Sequence, residues 1–125
     1  MREEIKNWLR QSNRDLQVAE KNFDINEYYS SVFWSQQAVE KGLKAVILEK
    51  TRENISNHSL VQLGNAAMVP KEFISKLKKL SPQYFLARYP DASQDVPFEL
   101  YDKEITKEFL DIAKEVLKWI NNQLK

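Results

Sequence analysis

Residue 58 is the only histidine of the chain, which makes it the first place to look for a group that could move a proton near neutral pH. It falls at the predicted start of a short helix, where an imidazole can act as a general base or as a neutral hydrogen-bonding group, or can simply close the helix end. It cannot build a metal site alone: there is no second histidine and no cysteine. A second candidate is the string Arg88-Tyr89-Pro90-Asp91. Arginine offers a planar fork for phosphate or carboxylate, tyrosine can stack on a base, and Pro-Asp fixes a turn. The same arginine would also suit the C-terminus of a helix for structural reasons alone.

The third feature is polar intrusion into an apolar helix face. Gln36 projects among Val32, Val39 and Leu43, Glu40 lies between Phe33 and Ile47, and Lys44 borders the same arc. Burying an amide and a carboxylate without partners costs about 1–3 kcal/mol or more each, so both must meet groups from elsewhere in the fold. Two readings stay open: a satisfied core pair, for instance Glu40 with Arg88 or another cation, or a polar cleft for a ligand.

These residues must be positioned by helices. Two glycines and four prolines leave little turn chemistry for hairpins, so the chain reads as all-α, an antiparallel up-and-down bundle of four long helices plus a short one forming a single domain over 1–125. Ile5, Trp8, Leu9, Ser12, Leu16, Ala19 and Phe23 recur at three- and four-residue steps and predict a first helix over residues 2–22. Asn26 is the expected N-cap of a second, running to Lys50. This helix has a broad apolar face with Tyr29, Val32, Val39, Leu43, Val46 and Ile47, and a small-residue face with Ser31, Ser35, Ala38, Gly42 and Ala45. Apolar or small on two sides, it is the expected central helix, and its small face would let another backbone approach.

Asn57 is expected to cap a short third helix that Gly64 ends, and Pro70 to stand as the first residue of a fourth. Ser81-Pro82 would then interrupt and restart that helix as a kink. Residues 89–102 have loop composition with aromatic anchors, and a loop that long is often functional. The final helix, 103–123, carries Ile105, Phe109, Ile112, Ala113, Val116, Trp119 and Ile120 as its buried stripe.

Composition excludes several classes. With no cysteine there is no disulfide framework and no thiolate chemistry. No apolar run approaches the roughly 20 residues of a membrane span, and Met1-Arg2-Glu3-Glu4 lacks a signal-peptide pattern, so a cytoplasmic chain without membrane contact is expected. Nineteen basic and eighteen acidic residues leave a formal charge of +1, so any nucleic-acid contact must be a local patch.

Taken together, the string Phe33-Trp34-Ser35-Gln36-Gln37-Ala38-Val39-Glu40-Lys41-Gly42-Leu43-Lys44-Ala45, the later His58-Ser59-Leu60, and Tyr84 followed by Arg88-Tyr89-Pro90-Asp91 resemble the HEPN family. The family is a helical-bundle group named for nucleotide binding in eukaryotes and prokaryotes, and the resemblance spans nearly the whole chain. It is to the nucleotidyltransferase-associated branch, and the chain also resembles the HEPN domain of sacsin. What this implies is an antiparallel bundle of four or five helices, often a homodimer, that is the accessory partner of a minimal nucleotidyltransferase in a toxin–antitoxin-like pair.

Carried over residue by residue, the resemblance points to Gln37, Glu40, Lys41, Lys44, His58, Arg88, Tyr89 and Asp91 as residues binding a nucleotide, ATP or GTP, with no metal and no other cofactor. Ser59 stands where an acidic residue commonly follows the family's histidine. Other members are metal-independent ribonuclease toxins with an Arg followed after four to six residues by His, usually in the final long helix. Arg52 and His58 match that string with five residues between them, but in the loop after the second helix, which keeps RNA cleavage as the alternative. A third reading is a plain helical dimerisation module whose polar core residues fix specificity.

Overall fold

A computed structural model describes residues 1–93 and 95–125, with Ser93 described by its backbone alone. Among the described residues, seven helices and one 3-10 turn follow one another: α1 Glu3–Asp24, α2 Tyr28–Thr51, α3 Leu60–Ala67, α4 Lys71–Leu80, α5 Gln83–Leu86, α6 Pro90–Ser93, the turn Pro97–Glu99, and α7 Lys103–Gln123. There is no strand among them. The helices form the expected all-α bundle; α1, α2 and α7 are each longer than twenty residues.

The two-faced character of α2 makes it the centre. Its small face meets α1 at very close range, because two serines on the facing helices bond directly to opposing backbone: Ser12 Oγ donates to the carbonyl of Ala38 at 2.6 Å and Ser31 Oγ to that of Ala19 at 2.8 Å. The pairing of early α1 with late α2, and the reverse, sets the two antiparallel. Gly42 completes this seam: a Cβ there would stand 2.7 Å from Ile120 Cδ1 of α7 and 2.8 Å from Ser12 Oγ. The apolar face buries Val32, Val39, Leu43, Val46 and Ile47 completely.

Around this centre α7 packs on α2 and touches α1 through the amide pair Asn13–Asn121. Against α7 lies α4, antiparallel to it, through an edge-on Phe73–Trp119 contact and the pairs Lys76–Glu115 and Lys79–Glu108. No described helix is long and apolar enough to cross a membrane.

The helix ends depart from expectation in instructive ways. Asn26 is not the cap of α2. It takes the left-handed conformation, φ 64°, between α1 and α2, a place asparagine tolerates, and Glu27 precedes the helix instead. Asn57 is not the cap of α3 either: its Oδ1 accepts from the Ser59 amide, and Ser59 then caps the helix by accepting from the Gln62 amide. Gly64 sits inside α3, which ends at Ala67 with Met68 left-handed; the glycine packs closely on α4, where a Cβ would stand 2.5 Å from Leu77 Cδ1 and require that buried side chain to shift. Pro70 flanks α4 with extended backbone rather than opening it as the first helical residue.

Tyr29 and Ile105, both in the first turn of their helices, are 37% and 39% exposed instead of joining the core. The stretch 89–102 contains the one-turn helix α6 and the 3-10 turn. It is anchored by buried Pro97 and Tyr101, whose hydroxyl donates to Gln83 Oε1; position 94 lies outside the described residues.

Candidate functional site

The polar intrusion on α2 is the floor of the site. Glu40 is almost wholly buried, and its carboxylate gathers three donors: Gln36 Nε2 at 3.2 Å, Lys44 Nζ at 3.1 Å, and His58 Nδ1 at 3.0 Å from Oε2. Gln36, also buried, accepts in turn from Gln37 Nε2 at 2.7 Å. Every member is therefore bonded, as a buried polar network must be. The cation expected opposite Glu40 is Lys44, one helical turn away, not Arg88.

His58 arrives from the extended segment before α3. Two serines hold that segment in place: Ser59 caps α3, and Ser81 Oγ, at the end of α4, accepts the amide of Leu60 at 3.0 Å. The imidazole then lies flat on Tyr84 of α5, ring centres 4.4 Å apart and planes 16° apart. With Nδ1 on Glu40, Nε2 has no partner among the described residues, and the side chain is about half exposed. A carboxylate on one ring nitrogen fixes the orientation of the imidazole and leaves the other nitrogen available for chemistry or for binding.

Arg88 follows one turn after Tyr84. Its guanidinium carbon stands 5.0 Å from the ring centre of Phe33, 5.3 Å from Tyr84 and 4.9 Å from Tyr89, an aromatic nest that holds the fork without an acidic partner among the described residues. His58, Tyr84 and Phe85 line an open groove of about 440 Å³ with Ser59, Ser81 and Asn57. Tyr84 is thus shared: its ring carries His58 at the groove and lies against Arg88.

Not every candidate reaches this place. His58 and Arg88 both lie against Tyr84; Glu40 joins only through His58, with Lys44 behind it, and Tyr89 only through Arg88, which itself lines a separate concavity with Glu27, Tyr29 and Phe98. Lys41 is drawn to the α1 side, where its ammonium pairs at 2.6 Å with the buried carboxylate of Asp15. Gln37 is spent on Gln36, and Asp91 is exposed in the first turn of α6. Arg52, left-handed at the end of α2, lines a different pocket with Met1, Arg2 and Ile5, so within one chain it does not join His58. Tyr84 and the two serines were not singled out as site residues. A half-buried tyrosine is ordinary in a core, and only the contact with His58 gives it a role.

The HEPN domain family matches residues 5–123, and the chain belongs to that family. It is similar to the Methanocaldococcus jannaschii protein named "Putative toxin MJ1304", 31% identical with 94% of this chain and 86% of the relative covered. The crystal structure of TT1696 from Thermus thermophilus has the same fold, with a TM-score of 0.89, 27% identity, and 98% of this chain and 99% of that one covered. The crystal structure of ST0689, described as an archaeal HEPN homologue, matches over the whole of both chains with a TM-score of 0.79 and 29% identity.

Proposed function

We propose that this HEPN-domain protein is a nucleotide-binding member of a toxin–antitoxin-like pair, acting by binding and accessory to a minimal nucleotidyltransferase. The observation that carries the reading is Arg88: its guanidinium has no acidic partner among the described residues and is held in an aromatic nest one ring away from the half-exposed His58. A phosphate would take the fork of Arg88, and the exposed faces of Phe85 and Tyr89 offer stacking surface to a base. The likeness to a candidate toxin and the family's name support the pair and the ligand class. The lysines of α2 are not part of the phosphate site in this reading, because Lys41 and Lys44 already neutralise Asp15 and Glu40.

Calorimetric titration of ATP and GTP, repeated with Arg88→Ala, tests this. Saturable binding weakened at least several-fold by the substitution supports the site, whereas unchanged affinity removes Arg88 from it. Co-purification of a minimal nucleotidyltransferase, or none, decides the partner.

One observation favours a second reading, RNA cleavage: the Glu40–His58 pair leaves Nε2 available as an oriented proton acceptor or donor. The neighbouring cation is then Arg88, not Arg52, unless a second copy supplies one. RNA cleavage lost in His58→Ala supports it, and absence of cleavage by the unaltered protein ends it.

A further inference from the structure

Large apolar side chains that stay exposed are not spread evenly over the molecule. Of the nine among the described residues, five lie around Arg88: Tyr29, Phe85, Tyr89, Val96 and Phe98, with Phe85 and Phe98 more than half exposed. They form one surface. The rings of Phe85 and Tyr89 have centres 6.5 Å apart, the Arg88 guanidinium lies 4.9 Å from the ring centre of Tyr89, and Arg88 in turn lines an open concavity of about 380 Å³ with Tyr29, Val96 and Phe98. This concavity shares no lining residue with the groove at His58. The fold places it there: the 3-10 turn that carries Phe98 packs on α2, where Tyr29 stands in the first turn, and buried Pro97 and Tyr101 pin that turn down. A contiguous surface of tyrosine and phenylalanine around an arginine has the composition of a protein-binding patch, whereas a single exposed side chain such as Met68 asks for no such reading.

Charge says what kind of partner fits. Arg88 has no acidic partner among the described residues, and Glu27, which lines the same concavity, has no basic one; the two do not pair with each other. Opposite charges left apart in one apolar hollow call for a partner with the reverse pattern: a carboxylate for the fork of Arg88, a large apolar side chain for the hollow, and a base for Glu27. The exposed acids Asp91 and Glu99, next in sequence to the lining residues Pro90 and Phe98, extend the demand for bases at the rim. That rim speaks against an extended polyanion, which would meet Glu27 and these acids, and against an anionic lipid surface for the same reason.

We infer that the surface formed by Arg88, Tyr29, Val96 and Phe98 is a docking site for a segment of another protein that presents an acidic residue, a large apolar side chain and a flanking basic residue. The assignment goes beyond the nucleotide reading and does not rest on it; if ATP takes the same fork, it competes with the segment. The test is selection of segments from a displayed random peptide library on the immobilised full chain. An enriched, labelled peptide is then titrated by fluorescence anisotropy against the full chain and against Phe98→Ser and Arg88→Gln variants, both changed at exposed positions. The expected result is enriched peptides that share this pattern and bind several-fold more weakly to each variant. Changing the peptide's acid to its amide should weaken binding to the unaltered protein but not to Arg88→Gln, which assigns the carboxylate to that arginine. Failure to enrich any segment, enriched peptides without an acid, or equal affinity in either variant overturns the assignment. Self-association in sedimentation that Phe98→Ser abolishes would give the surface to a second copy and equally overturn it. An ATP titration alongside keeps the two readings apart: peptide binding without ATP binding sinks only the nucleotide site, and the reverse sinks only this one.

Discussion

His58 reaches Glu40 across eighteen residues of chain, its Nδ1 3.0 Å from Oε2 of a carboxylate that is almost wholly buried. The same carboxylate holds Lys44 and Gln36 from within its own helix. One acid therefore neutralises a lysine, satisfies an amide and aims an imidazole at once.

Glu40→Ala is expected to destabilise the protein by about 3 kcal/mol, because Lys44 and Gln36 are left without an acceptor in a nearly closed space. Glu40→Gln keeps the shape and should cost less, about 1 kcal/mol, while releasing His58 from its orientation. Urea unfolding gives the first quantity, and the chemical shifts of the His58 ring give the second. An unchanged urea midpoint in the alanine variant would mean that the network contributes nothing to stability.

Gly42→Ala should also destabilise, although alanine is the better helix former by about 1 kcal/mol. The added methyl would lie within 3 Å of both Ile120 Cδ1 and Ser12 Oγ, and the serine cannot yield without giving up its bond to Ala38. A net loss of about 1–3 kcal/mol is expected from such overpacking. A rise in the melting temperature would show that the α1–α2–α7 seam is softer than its geometry.

Tyr101 makes stability depend on alkaline pH. Burial pushes its phenol from the ordinary 10.0 up to about 12. Between those values the unfolded chain gives up this proton while the folded chain keeps it, so stability falls as pH rises from 10 towards 12 and is insensitive to this group below that window. Comparing urea midpoints with Tyr101→Phe isolates the effect: the slope over the window should be smaller in the variant, and equal slopes would contradict the assignment.

Much of the fold was legible because periodicity is a local signal. The apolar and small faces of α2 could be read from spacing alone, and both are buried as expected, save Tyr29 in the first turn. The caps were less legible. Asn26 and Asn57 have the right chemistry to start a helix, yet each stands one or more residues too early and uses its side chain or its left-handed backbone to shape the approach.

In the site, Gln36 and Glu40 stood out as polar residues where apolar ones belong. Their partners did not, since the segment that carries His58 is placed by Ser81, and no spacing rule links residue 60 to residue 81. Lys41 had the charge to bind an anion, but Asp15, twenty-six positions earlier, already occupies it.

The serine bonds join two helices that are consecutive along the chain, separated only by the short link from Ile25 to Glu27. Such a hairpin needs little chain closure to assemble. The described residues from Gln83 to Leu100 form only one-turn elements and leave Phe85, Tyr89 and Phe98 exposed, so this part belongs to the low-stability end of the molecule. The Tyr84 and Phe85 wall of the groove is thus built on a part that can breathe at small cost, while the carboxylate that holds His58 sits on the central helix.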